Sequence, residues 1–157
     1  MDFLVWLEGT FIANAIRTIP WLYPMFETGH YIGLSLLVGG IMLIDLRVLG
    51  FARALPLKSM IGLLPFVWVG FAINVFTGSM LFIYGATNFG PNRAFQVKMA
   101  FLVLAGLNAL AFDLAVRRSG SSWVAADRPP AFVKGVATLS LFFWICVVTT
   151  GRWMAYL

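Results

Sequence analysis

Four ionisable side chains that could do chemistry together are Glu27, His30, Lys98 and Arg152. Glu27 and His30 stand three residues apart, so on a helix the carboxylate and the imidazole share a face. All four lie in long apolar stretches, and a charged group left in hydrocarbon costs about 2.5–3.5 kcal/mol at the centre of a membrane helix. We therefore expect the four side chains to face inward and to meet at one depth.

Two interpretations of this predicted cluster are open. In the first, Glu27 pairs with Lys98 or Arg152 as a clamp between helices, or the two cations reach lipid headgroups. His30 would then bond a neighbouring backbone or hydroxyl group. In the second, His30 is the axial ligand of a b-type haem or binds a similar small ligand. Lys98 and Arg152 would neutralise the propionates, and Glu27 would orient or pair with them.

A haem on His30 needs its remaining ligand from elsewhere, because this is the only histidine in the chain. The iron would be five-coordinate, would take Met80 or Met25, or would bind His30 of a second copy. Gly29 and Gly33 lie on either side of the imidazole. They predict either a close approach of two helices, for instance at a dimer contact, or open space for a flat cofactor.

The Glu-x-x-His spacing is also used by di-iron sites in helix bundles. Such a site takes two of these motifs and two further glutamates, whereas this chain has one motif and only Glu8 and Glu27. A metal site on His30 would therefore require a dimer and substitute ligands, and it ranks below haem.

Other small or polar residues in the apolar stretches predict either hydrogen bonds between helices or the lining of an internal pocket: Gly70, Asn74, Thr77, Asn108, Thr138 and Thr149. Near the opposite ends of the helices, Asp45 with Arg47, and Asp113 with Arg117 and Arg118, are predicted ion pairs that fix helix ends. Asp113 and Arg117 have the favourable i, i+4 spacing.

The elements that must position these residues are transmembrane helices. The chain has 157 residues, 61% of them hydrophobic and 11% charged, which excludes a soluble domain. Four stretches, near 22–46, 60–85, 95–116 and 132–154, can cross the roughly 30 Å of hydrocarbon. Short connectors predict antiparallel neighbours, and hence an all-α, up-down-up-down four-helix bundle over residues 20–157.

Residues 1–19 are predicted to form an amphipathic helix in the membrane interface, because Thr10, Asn14 and Arg17 fall on one helical face. They lack the basic start and the cleavage site of a signal peptide. Seven of the eleven Lys and Arg residues fall in or beside the connectors after the first and third spans. The positive-inside rule then places both termini outside the cytoplasm. The net charge of +5 fits anionic lipid headgroups rather than nucleic acid.

Three segments carry a resemblance to known proteins: Glu27-Thr28-Gly29-His30 through Asp45-Leu46-Arg47, the run from Lys98 to Asn108, and the end from Trp144 to Tyr156. From about residue 20 onward the chain resembles a family of unknown function, made of small bacterial four-helix membrane proteins. It is also loosely similar to the membrane domain of copper-resistance protein D and to cytochrome b561-type bundles. The resemblance implies the bundle, the bacterial inner membrane, and roles for His30 and Arg152.

The leading functional hypothesis is a bacterial inner-membrane protein that binds haem b or a similar small ligand in the outer half of its bundle, as a homo-oligomer or within a larger membrane complex. A second is a non-enzymatic transport or accessory protein for an ion, copper or a small solute. A third is a structural subunit of a membrane complex, assembled through Gly29, Gly33 and the N-terminal helix.

Overall fold

The computed structural model describes residues 2–118, 122–154 and 156, and over these residues the chain forms helices and no strands. The helices, in chain order, are α1 (Asp2–Glu8), α2 (Phe11–Thr18), α3 (Leu22–Leu49), α4 (Leu57–Ile61), α5 (Leu64–Tyr84), α6 (Ala86–Phe89), α7 (Arg93–Arg118), α8 (Ser122–Ala125) and α9 (Ala131–Trp153).

The predicted all-α fold is confirmed, with four helical segments long and apolar enough to span a membrane. They are Leu22–Leu49, Leu57–Tyr84, Arg93–Arg118 and Ala131–Trp153, so most extend past the predicted bounds. At 1.5 Å per residue, the 28 residues of α3 measure about 42 Å, well beyond the hydrocarbon thickness. Helices of this length can reach the polar headgroup region, and most of the charged residues lie toward their ends.

The long helices alternate in direction, which gives the molecule two distinct ends. The terminal end holds the start of α3, the end of α5, the start of α7 and the end of α9; the connector end holds the opposite helix ends. α3 packs against both α5 and α9, and α7 packs against α9. Accordingly α3 and α9 are the more buried helices. In the most apolar 18-residue stretch of each span, 39% of α3 and 33% of α9 is buried inside the protein, compared with 17% for each of the other two spans.

Glycine lets α3 and α5 approach closely. A Cβ built on Gly70 would lie 2.7 Å from the backbone nitrogen of Leu37 and 2.8 Å from the carbonyl oxygen of Gly33. Side chains at either glycine would push the two backbones apart, which is the usual reason for small residues between membrane helices. At the connector end α3 stops at Gly50, whose φ of 103° is the left-handed conformation typical of a helix C-terminus.

The N-terminal segment forms two short helices rather than one. The break falls at Gly9–Thr10, where the Thr10 hydroxyl accepts from the backbone N–H of Ala13 and so caps α2. α2 packs against α5 and α3, and its residues Ala13 and Ile16 are buried. Several apolar side chains of α1 and α2 remain exposed: Phe3, Val5, Trp6, Phe11 and Ile12. The segment lies at the terminal end of the bundle.

Candidate functional site

The four predicted site residues do not meet as one ionic cluster. Within the described part of the chain, Glu27 forms no ion pair with Lys98 or Arg152. The Lys98 side chain lies along α9, with Nζ 3.4 Å from a Cβ built on Gly151. Arg152 is exposed and donates a hydrogen bond to the Tyr156 hydroxyl at 2.9 Å. The reason is the packing order, because α3 packs mainly on α5 and α9, whereas α7 packs mainly on α9.

His30 instead contacts α5. Its Nδ1 lies 3.0 Å from the hydroxyl oxygen of Thr77, and that hydroxyl is itself 2.7 Å from the carbonyl oxygen of Ile73. Because a carbonyl can only accept, the Thr77 proton points to Ile73, and Nδ1–H of His30 donates to Thr77. This arrangement assigns the ring proton to Nδ1 and leaves the lone pair of Nε2 available.

The glycines near His30 serve the α3–α5 contact. A Cβ on Gly33 would lie 2.7 Å from Asn74 Nδ2, and one on Gly29 would lie 3.3 Å from Thr77 Cγ2. On the facing side of α5, a Cβ on Gly78 would lie 3.2 Å from Cε1 of the His30 imidazole. The space beside these glycines is therefore filled by α5, and a flat ring has no room between the two helices. Met80 lies one turn beyond Thr77 on α5 and is half-buried.

A cleft in the connector half of the bundle brings together polar groups from three helices. It lies between α3, α5, α7 and α9, and its lining is mainly apolar; the side chains in it that can hydrogen-bond include Asp45, Asn108, Ser140 and Trp144. α5 and α7 are joined at the terminal end by the stacked rings of Phe82 and Phe95, 5.1 Å apart. Toward the connector end the cleft separates these two helices.

Asp45 is the most unusual group in this cleft. It is 4% exposed, it takes part in none of the ion pairs of the described residues, and its Oδ2 has no hydrogen-bond partner among them. The Ser140 hydroxyl of α9 approaches the carboxylate. The indole Nε1 of Trp144, one turn further along α9, is likewise buried without a partner.

The predicted ion pair between Asp45 and Arg47 is wrong. Two residues apart on a helix, the side chains point about 200° apart, so Asp45 enters the cleft while Arg47 points away from it. Nη2 of Arg47 lies 2.7 Å from Oδ1 of Asp127 and pairs with both oxygens of that carboxylate. The predicted pair of Asp113 and Arg117 is confirmed, at 2.8 Å.

Asn108 links the cleft to the bundle. Its Nδ2 donates to the carbonyl oxygen of Val136 at 3.0 Å and so ties α7 to α9, which confirms the predicted role of this residue in joining helices. The same residue lines the cleft. Its side-chain oxygen receives no hydrogen bond from the residues that the structure describes.

The size of the cleft limits what it can hold. Its free volume is about 30 Å³, and one water molecule needs about 10–15 Å³ by the same measure. The cleft therefore has room for about two or three waters or a small ion, and none for a macrocycle. No group of three or more His, Cys, Asp or Glu side chains that could hold a metal occurs within residues 2–118, 122–154 and 156.

Sequence periodicity contains a signal for Asp45. The buried residues of α3 include Leu37, Ile41, Ile44 and Val48, which recur at three- and four-residue spacing. Asp45 stands four residues after Ile41 and so belongs to the same inward face. A carboxylate on the core face of a membrane helix is a functional candidate by default. On α9, Ser140 and Trp144 show the same four-residue spacing on a buried face.

The chain belongs to a family of unknown function, DUF6644, whose model matches residues 3–157. Comparisons with curated proteins and with solved structures give no match. The predicted membership of a family of unknown function is thus confirmed. Nothing in the comparisons supports a similarity to the membrane domain of copper-resistance protein D or to cytochrome b561-type bundles.

Proposed function

We propose that this chain is a non-enzymatic membrane protein that takes up a proton or a small monovalent cation at Asp45. It would act in ion transport, either as the transporter itself or as an accessory subunit of one. The observation that carries the proposal is a carboxylate 4% exposed that lines an interhelical cleft. Its Oδ2 has no protein partner in the described chain.

The electrostatics of the bilayer support this function. A carboxylate kept in a membrane interior without a counter-charge costs several kcal/mol, and a proton or a bound cation removes that cost. Hydroxyl and amide oxygens are hard ligands suited to such a cation, and Ser140 and Asn108 supply them in the same cleft. The free volume of about 30 Å³ favours a proton, water or a small ion over an organic solute.

The distribution of charge supports an orientation in the bacterial inner membrane. Seven of the eleven basic residues lie at the connector end, so we place that end in the cytoplasm and both termini outside it. Asp45 would then lie in the cytoplasmic half of the bilayer, and the Phe82–Phe95 stack in the outer half.

Ion flux into liposomes tests the proposal. The purified chain is reconstituted into vesicles that contain a pH-sensitive dye, a membrane potential is imposed, and proton uptake is recorded; Na⁺ and K⁺ uptake are recorded in parallel. We expect flux above that of empty vesicles, reduced at least about tenfold in Asp45→Asn, which removes the ionisable group whose burial is costly. Asp113→Asn is the matched control, because Asp113 is also buried but already forms an ion pair with Arg117.

Equal flux in the wild-type protein and the Asp45→Asn variant would overturn the proposal, and so would flux no greater than that of empty vesicles. An infrared difference spectrum between wild type and Asp45→Asn, taken across a pH and Na⁺ series, gives an independent measure. A carboxyl band that changes with neither proton nor cation concentration would contradict ion binding at Asp45.

Haem binding at His30 is a second candidate. It is favoured by the position of the ring proton on Nδ1. An imidazole that binds a metal through one nitrogen commonly donates the N–H of its other nitrogen to a neighbouring acceptor, as Nδ1–H of His30 does to Thr77. The α3–α5 contact leaves no room for the ring on that side, so a haem would lie between two copies of the chain. A Soret band after haem-replete expression, lost in His30→Ala, is expected; its absence would exclude this candidate.

A further inference from the structure

A second cavity, separate from the cleft, lies at the connector end. Its volume is about 260 Å³. Five of its lining residues are charged: Arg47, Arg53, Asp127, Arg128 and Lys134. Four are basic and one is acidic, so the cavity keeps three positive charges after Arg47 and Asp127 neutralise one another.

Arg47 forms the floor of this cavity. It is 4% exposed, its Nε donates to the carbonyl oxygen of Leu55 at 2.5 Å, and its Nη2 pairs with Asp127. No described residue accepts a hydrogen bond from Nη1. A guanidinium has five N–H donors in a planar fork, so the buried Arg47 retains donors that no group of the described residues accepts.

The surrounding backbone is shaped to hold these groups in place. Asp127 has a φ of 53°, a left-handed conformation that aspartate tolerates better than most residues, and the N–H of Arg128 donates to the carbonyl oxygen of Trp123 at 3.0 Å. At the opposite wall, Nε of Arg53 donates to the carbonyl oxygen of Gly50 at 3.1 Å. The guanidinium of Arg53 therefore folds back along the end of α3.

The start of α9 adds a further positive potential. This helix has 23 residues and begins after Pro130, which supplies no side-chain hydrogen bond as a cap. The N–H groups of a first helical turn have no partner within the helix and attract anions. Pro129 and Lys134, which flank this turn, both line the cavity.

We propose that the connector-end cavity binds a phosphate group, carried either by the headgroup of an anionic phospholipid or by a free phosphate ion. Three basic side chains that form no ion pair with any described residue, the donors of the buried Arg47 and an uncapped helix start surround one space of about 260 Å³. Arginine forks match phosphate geometry. The site lies where the helices reach the headgroup region, and its binding is independent of ion uptake at Asp45.

Binding to lipid and to inorganic phosphate can be compared on the full chain in detergent. Dioleoylphosphatidylglycerol, dioleoylphosphatidylcholine and inorganic phosphate are titrated separately, and bound molecules are counted by native mass spectrometry. The test variant is Arg128→Gln/Lys134→Gln. The matched control is Lys58→Gln/Arg118→Gln, which removes two charges from the same end of the protein outside the cavity lining.

We expect saturable binding of phosphatidylglycerol over phosphatidylcholine, weakened at least about tenfold in the cavity variant and less than about twofold in the control. Competition by millimolar inorganic phosphate would assign the site to free phosphate, and its failure to compete would assign it to the lipid headgroup. Equal weakening in the two double variants would overturn the proposal, since only the general surface charge would then matter. The proposal would also be overturned if neither phosphatidylglycerol nor inorganic phosphate bound to the protein.

Discussion

Asp45 and Arg47 stand two residues apart on α3 and belong to two different sites. Asp45 lines the interhelical cleft, whereas Arg47 pairs with Asp127 at the connector end and lines the basic cavity. The two opposite charges are therefore not each other's partners. Among the residues that the structure describes, no cation pairs with the carboxylate inside the bundle, and the buried guanidinium depends on an aspartate 80 residues later in the chain.

Removal of the Asp127 carboxylate should destabilise the protein. In Asp127→Asn, the left-handed backbone is still tolerated, but the buried Arg47 loses its counter-charge. Complete loss of the partner of a buried charge costs about 3–5 kcal/mol; since the Asp127 side chain is 48% exposed, we expect about 1–3 kcal/mol and a lower melting temperature in detergent. Asp113→Asn, whose partner Arg117 is 71% exposed, should cost about 0–1 kcal/mol. Equal effects of the two variants would contradict the buried role of Arg47.

Substitution of Gly70 tests the close contact between α3 and α5. In Gly70→Ala the new methyl group would meet two backbone atoms of α3 within 2.8 Å, so the helices must separate, at a cost of about 1–3 kcal/mol. Gly39→Ala is the control, because a Cβ at that position meets nothing within 4 Å and alanine favours the helix. Thermal unfolding in detergent should show a lower midpoint for Gly70→Ala only. A Gly70→Ala midpoint equal to that of Gly39→Ala would show that the contact is looser than described.

Attachment of the N-terminal helices should depend on pH through Glu8. The hydroxyl and backbone N–H of Thr87 donate to Glu8 Oε1 at 2.7 and 2.6 Å, and with Arg17 nearby they hold the pKa of Glu8 below its ordinary value. The pKa is lower in the folded state, so this stabilisation is complete above about pH 4.3, the pKa of a free glutamate. It is lost as the pH falls through the lowered value.

Hydrogen exchange of residues 2–18 measures this attachment. We expect protection at neutral pH, reduced protection in strong acid, and reduced protection at all pH values in Glu8→Gln. Glu27→Gln is the matched control, since Glu27 forms none of the ion pairs of the described chain. If the protection of residues 2–18 were the same in Glu8→Gln as in the wild-type protein, the hydrogen bonds to Thr87 would not hold these helices.

The tautomer of His30 is open to direct measurement. Nitrogen NMR on labelled imidazole should show the proton on Nδ1 and an unprotonated Nε2 in the neutral ring, because the Thr77 hydroxyl already donates to Ile73. Thr77→Val removes the acceptor while it keeps the shape of the side chain. We expect it to cost about 1 kcal/mol and to abolish the preference for Nδ1–H. The Nε2–H tautomer in the wild-type protein would contradict the assigned bond.

Hydropathy and connector length were sufficient to predict the four spans and their alternating directions, because the thickness of the bilayer sets the length of each helix. They were not sufficient to predict the neighbours of each helix. The expected meeting of Glu27 with Lys98 assumed that α3 and α7 pack together, but α9 lies next to α7 and takes the Lys98 side chain. Hydropathy is nearly the same for all four spans, so it does not distinguish their order around the bundle.

The same limit explains the ion pair wrongly assigned to Asp45. Proximity in sequence suggested Arg47, whereas helix geometry separates the two side chains and periodicity places Asp45 on the buried face of α3. The true partner of Arg47 lies in the segment between α8 and α9. Only the fold brings that loop to the end of α3.

The packing order also has a consequence for biosynthesis. α3 with α5, and α7 with α9, are hairpins of neighbours in sequence, and the two hairpins meet along α3 and α9. During synthesis the first hairpin can close before the second has left the ribosome, since domains and their parts form from the N-terminus onward. Docking of the second hairpin then brings Ser140 and Trp144 to Asp45, so the cleft is completed only in the last step of assembly.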